Sequence, residues 1–175
     1  GAREGGENME KRLNTKKLVK AGLLCALVTV LTIFVQMPIP AIAGAYINGG
    51  DAGVYLAAFL LGGPWGAAVA GVGSAIADMA LGSMVYAPAT LVIKAAMAFF
   101  AARINHGGGK FSRILAPLAG SAIMIAGYFL YESVLFGPGA ATASVLFNLI
   151  QAGGGTLAAY IATRALDARK RRFEP

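Results

Sequence analysis

WGAAVAGVGSAIADMAL, residues Trp65–Leu81, is the stretch that decides the fold. It is apolar from end to end except for one carboxylate, Asp78, and it is bounded by the Gly62-Gly63-Pro64 turn and by Gly82-Ser83. A bilayer-spanning helix takes about 20 mostly apolar residues, so the stretch reads as a membrane helix. Gly66, Ala70, Gly73 and Ala77 recur along it as small residues that let a neighbouring helix approach closely. Packing within the monomer is the plainest use of that stripe. An ionised group at the centre of a bilayer helix costs at least about 2.5–3.5 kcal/mol, so Asp78 is expected to be paired or functional.

Five further apolar stretches surround this one. They run from about Leu18 to Met37, Ala52 to Leu61, Ala89 to Ala102, Ile114 to Leu135 and Ala140 to Leu166. The expected fold is therefore an all-α integral membrane protein with six transmembrane helices. Composition agrees: 57% of the residues are hydrophobic and 13% charged, where a soluble domain carries about 25% charged residues. Mean hydropathy is +0.66. Residues 1–8, GAREGGEN, precede Met9 and read as the remnant of a tag. Residues 9–175 then form a single six-helix domain.

Apart from Lys94, the basic residues behind the net charge of +7 are confined to three places. Arg3, Lys11, Arg12, Lys16, Lys17 and Lys20 precede the first apolar run; Arg103, Lys110 and Arg113 flank one loop; Arg164, Arg169, Lys170, Arg171 and Arg172 close the chain. With six spans all three clusters fall on one side, and the opposite loops carry no Lys or Arg. The positive-inside rule then makes both termini cytoplasmic. Charge laid out in this way is a topology signal, and no motif for reading nucleic acid accompanies it.

Chemistry of other kinds is not indicated. The single cysteine, Cys25, cannot form an intrachain disulfide and reads as a small apolar filler. His106 is a lone histidine, and the Gly107-Gly108-Gly109 run beside it lacks the Lys-Ser/Thr of a phosphate loop. No nucleophile elbow or metalloprotease motif appears. No catalytic residue, metal or cofactor is expected, and the chain is not expected to be an enzyme.

What remains is a set of polar residues in the outer half of the bundle. Asp78 and Lys94 fall at similar depth, either as a structural ion pair joining helices three and four or as contacts to a polar ligand. Glu132 shares a helix face with Tyr128, and Asn148 shares one with Gln151. Asp51 opens helix two, where a carboxylate caps well. Tyr46, Tyr55, Tyr86, Tyr128 and Tyr131 suit a membrane interface, with Tyr86 and Tyr128 placed to stack on a flat ligand. The inner half is nearly all Ala, Gly, Leu, Val and Ile. A channel needs a polar path throughout, so a stand-alone channel or secondary transporter is the weaker alternative to a cup. A membrane enzyme using Asp78 or Glu132 is weaker still.

AYINGGD (Ala45–Asp51), LLGGPWG (Leu60–Gly66), GSAIAD (Gly73–Asp78) and YAPATLVIK (Tyr86–Lys94) together resemble the substrate-binding S component of energy-coupling factor (ECF) vitamin transporters. The resemblance extends from about Lys16 to Arg171. It implies a multi-pass subunit in a bacterial or archaeal cell membrane that captures a vitamin or precursor from outside. It further implies delivery inward with a transmembrane coupling subunit and two ATPases. Substrate contacts are then expected from Asn48, Asp78, Tyr86, Lys94, Tyr128, Glu132, Asn148 and Gln151. The helix-one motif that meets the coupling subunit corresponds to Gly22 and Ala26, with Ala21 beside them. Hydroxymethylpyrimidine or pyridoxine is the favoured type of ligand, riboflavin follows, and pantothenate is a further option.

Overall fold

The computed structural model describes residues 2–40, 42–106 and 109–173, with side chains for 14–40, 42–106, 109–165 and 168. Gly107 and Gly108 lie outside the described residues, as do the side chains of Arg3, Lys11, Arg12 and of Arg169 to Arg172. Six helices follow one another: α1 Ala2–Phe34, α2 Gly50–Leu61, α3 Gly63–Ala80, α4 Ala87–Asn105, α5 Ser112–Phe136 and α6 Pro138–Phe173. The segments Asn14–Phe34, Ala87–Asn105, Ser112–Phe136 and Pro138–Ala165 are long and apolar enough to cross a membrane. The twelve residues of α2 rise roughly 18 Å, against a hydrocarbon core of about 30 Å. Six helices are thus present, four of them long and apolar enough to be complete spans, and α2 is too short to be one.

Two expectations for the first loop need correction. Helix one does not run to Met37. It stops at Phe34, and Gln36–Pro38 (β1) pairs antiparallel with Tyr46–Asn48 (β2), Met37 opposite Ile47. Asp51 does not cap α2. The capping position is Gly49, which has no side chain to bond the helix end, and Asp51 lies inside the first turn with 1% exposure.

Small residues set the helix spacing. A methyl group on Gly73 would meet the Cys25 carbonyl oxygen of α1 at 2.9 Å, and one on Gly66 would meet Ala57 and Ala58 of α2 at 2.9 Å. The other face of α3 meets α4, where a methyl on Gly71 would come within 2.5 Å of the Leu91 carbonyl oxygen. The α3 stripe therefore packs inside the monomer. Overpacking of this kind costs about 1–3 kcal/mol. Gly71→Ala is accordingly expected to lower the thermal unfolding temperature in detergent, because backbone cannot yield as a side-chain tip can. Gly62 (φ 78) and Gly137 (φ 87) take left-handed conformations at the α2–α3 and α5–α6 turns.

The core has an apolar base. Val54, Tyr55, Ala58, Ala70, Met97, Ala98, Ala101, Ala116 and Met124 form one buried cluster between the central helices. Tyr55 belongs to this base and not to an interfacial belt: it is fully buried, and its hydroxyl bonds the Pro117 carbonyl at 2.8 Å and Ser121 at 3.0 Å. Large apolar side chains such as Leu23, Val92, Leu130, Val134 and Leu146 face outward, as the bilayer requires of a membrane bundle.

Candidate functional site

Polar side chains gather above the apolar base, under the β1–β2 hairpin. All eight residues expected to contact substrate line one cavity there: Asn48, Asp78, Tyr86, Lys94, Tyr128, Glu132, Asn148 and Gln151. Five different elements supply them, which is why no local sequence window contains the site. The cavity measures about 20 Å³, enough for one water by the usual requirement of about 10–15 Å³.

Its floor is an ion pair. Lys94 of α4 donates to Asp51 of α2, both almost fully buried. The Asp78–Lys94 pair considered from sequence is replaced by this one, because Asp51 enters the bundle. Lys94 also donates to the Met124 sulfur at 3.2 Å and lies 5.8 Å from the centre of the Tyr128 ring. Gln151 of α6 completes the floor by donating to the second Asp51 oxygen at 2.9 Å. Each charge is matched and hydrogen-bonded, the condition under which a buried ion pair is tolerated.

The walls carry the acids. Tyr46 of β2 donates its hydroxyl to Asp78 Oδ1. Burial, reinforced by that carboxylate, pushes the Tyr46 phenol above its ordinary pKa, so it remains a donor. Thr90 also faces the Asp78 carboxyl, yet Oδ2 meets no donor at hydrogen-bonding geometry. Glu132 accepts from Tyr86 at 3.2 Å and from Ser144. Thr90 and Tyr128 bond each other at 3.0 Å. The Asn148 Nδ2 and Ser74 Oγ atoms, like Asp78 Oδ2, are buried without a partner. An acceptor, a donor and a hydroxyl thus stand unsatisfied around one small space, where proteins ordinarily pair their buried polar groups; Asn105 Oδ1 and Ser133 Oγ, away from this cavity, are also buried without a partner.

The hairpin is the roof. Ile39, Ile42 and Ala45 pack with Tyr86 against Ile47, Tyr128, Tyr131 and Phe147. Ser83 pins the roof to the α3–α4 loop by donating to the Gly44 carbonyl at 2.7 Å. Tyr46, Ser74, Thr90 and Ser144 were not among the residues expected at the site. Single hydroxyls in apolar helices are too common to stand out, and only their shared depth gives them meaning.

The family model described as ECF-type riboflavin transporter, S component, matches residues 12–168. The chain belongs to that family. Among its relatives, the thiamine precursor transporter HmpT of Lactococcus lactis subsp. cremoris is 30% identical over 138 residues, 79% of this chain and 80% of its own. An uncharacterised protein of Pyrococcus woesei is 39% identical over 131 residues, 74% of this chain and 87% of its own. This S component is a multi-pass protein of the cell membrane, a substrate-binding transporter subunit for a vitamin or vitamin precursor, and not an enzyme. S components work with a membrane-embedded ECF module.

The three small residues of helix one do not share one direction. Ala21 of this S component points inward with 5% exposure and packs with Leu24, Ala57 and Val69. Gly22 and Ala26 face outward, and a methyl on Gly22 would meet nothing within 4 Å. Ala21 is therefore packed inside the bundle, with Gly22 and Ala26 on its outer surface.

Proposed function

We propose that this S component captures a single-ring heteroaromatic vitamin or precursor of the hydroxymethyl aminopyrimidine class in the cavity beneath the hairpin. One observation carries the reading: the unsatisfied Asp78 acceptor, Asn148 donor and Ser74 hydroxyl border the same space. An aminopyrimidine presents an amine that donates and ring nitrogens that accept, side by side on a flat ring. Asp78 takes the amine, Asn148 and Ser74 meet the ring nitrogen and hydroxymethyl group, and Tyr86 and Tyr128 bound the ring faces. Glu132 holds Tyr86 and Ser144 in place and closes the wall. The relative HmpT, a thiamine precursor transporter, supports the choice. Riboflavin, which the family description names, is a three-ring molecule and is the alternative ligand.

The cavity opens outward when the hairpin lifts, with both termini in the cytoplasm. Lys16, Lys17, Lys20, Arg103, Lys110 and Arg113 at the opposite end support that orientation. The apolar cluster below the Lys94–Asp51 floor supports a cup without a through-path, so transport requires a separate coupling subunit and two ATPases. The outward Gly22 and Ala26 suit close contact with that subunit.

Thermal-shift and native mass spectrometry of the purified protein with hydroxymethylpyrimidine, pyridoxine, riboflavin and pantothenate test the reading. Hydroxymethylpyrimidine is expected to stabilise most, at one ligand per chain. Stabilisation by riboflavin alone would overturn the ligand class, and flux through liposomes containing only this chain would overturn the cup.

A further inference from the structure

We propose that Gln151 is a positioning residue that latches the roof of the cavity to the buried ion pair, and sets how fast ligand escapes. It was expected as a substrate contact, and it does line the cavity. Both ends of its amide, however, are engaged within the protein. The backbone N–H of Asn48, in β2 of the roof, donates to Gln151 Oε1 at 2.8 Å. Gln151 Nε2 donates to Asp51 Oδ2 at 2.9 Å and reaches the Met124 sulfur at 3.3 Å. The amide cannot be turned over without loss, because a backbone N–H only donates and a carboxylate only accepts. The Asn48 side chain stays outside the relay, accepting from the Gly50 N–H at 2.8 Å. Lys94, Asp51, Gln151 and the Asn48 backbone therefore form one continuous line from floor to roof.

A second observation gives the latch a consequence. A groove of about 380 Å³ lies between the end of α1, the hairpin and α6, and Asn48 and Gln151 line it as well. The Asn48–Gln151 hydrogen bond stands between this groove and the cavity of about 20 Å³. Parting that bond releases the Asn48 end of β2 from α6, with Tyr46 still held by Asp78, and opens a way between the two spaces. The nearest step of α6 leaves little slack on the Asp51 side: a methyl on Gly155 would meet the Asp51 Cβ at 2.8 Å. Movement at the latch is therefore taken up by the roof and not by α6.

This inference rests on the cavity being the ligand site, and its test separates the two. Hydrogen–deuterium exchange of the hairpin segment, residues 36–49, is read on the ligand-free protein in detergent. Gln151→Leu is expected to speed exchange at the Asn48 amide about tenfold, the scale of one lost hydrogen bond. Dissociation of hydroxymethylpyrimidine is expected to accelerate by a similar factor, with association little changed. Gln151→Glu sets two carboxylates against each other and is expected to loosen the hairpin too. Adding Asp51→Asn to Gln151→Glu restores a donor facing an acceptor, keeps the total charge, and is expected to return exchange towards wild type. Unchanged hairpin exchange in both single variants would overturn the latch. So would a loss of affinity without any change at the hairpin, which would make Gln151 a ligand contact. Faster exchange with no binding of any panel ligand would uphold the latch while removing the proposed substrate.

Discussion

Lys94→Met is expected to lower the thermal stability of the protein sharply. The substitution fills most of the lysine's volume but strands the Asp51 carboxylate, 1% exposed, with only the Gln151 amide for a partner. Breaking a buried pair by removing one member costs about 3–5 kcal/mol, against a total stability of about 5–15 kcal/mol for a typical domain. The reciprocal change, Asp51→Leu, strands the ammonium and is expected to cost as much. The double variant Asp51→Leu/Lys94→Met removes both charges and is expected to recover much of the loss, since apolar replacement of a whole buried pair is often neutral. Thermal unfolding and monodispersity in detergent read the three variants. Additive losses in the double variant would show that the two side chains do not act as a pair.

That prediction also marks where the sequence stopped being informative. The apolar runs and the basic clusters are visible because each is a local property of the chain, and the number and order of helices followed from them. The depth of Asp78, Lys94 and Glu132 was legible for the same reason, as distance along a helix from a turn. Pairing was not. Asp51 seemed a helix cap because it sits at a helix start, and nothing local shows that α2 is drawn in between α4 and α6. Lys94 and Asp51 are 43 residues apart and meet through that tertiary placement. The hairpin escaped notice for a related reason. Its strands are three residues each, too short for alternation to register, and Pro38 stands in one of them. The small-residue spacing around Ala21 marks a helix face without saying which way it turns. Gly22 and Ala26 lie on the outward side, whereas Ala21 is one step, about 100°, round the helix.

Asn148 and Asp78 carry the largest expected effect on ligand affinity. Asn148→Leu removes the donor and leaves the ligand's acceptor buried without a partner, at a cost of about 1–3 kcal/mol, or roughly 5- to 150-fold in Kd. Asp78→Ala is expected to weaken binding at least as much, because a hydrogen bond to a charged group is worth about 1.5–3 kcal/mol. Asp78→Ala also frees the Tyr46 hydroxyl of the roof, so affinity alone would not separate a lost ligand contact from a loosened lid. Chemical change on the ligand separates them. A pyrimidine lacking the exocyclic amine is expected to bind wild type far more weakly than the parent compound does. It is expected to bind Asp78→Ala about as well as the parent does, since the partner of the amine is already gone. The same pair of ligands measured against Asn148→Leu should keep the wild-type ratio, because Asn148 is assigned to the ring acceptor. Isothermal titration on the four combinations of amine and Asp78 gives a coupling energy that a lid effect does not produce, as loosening the roof weakens both ligands equally. A coupling near zero would detach Asp78 from the amine and return it to the role of an anchor for Tyr46.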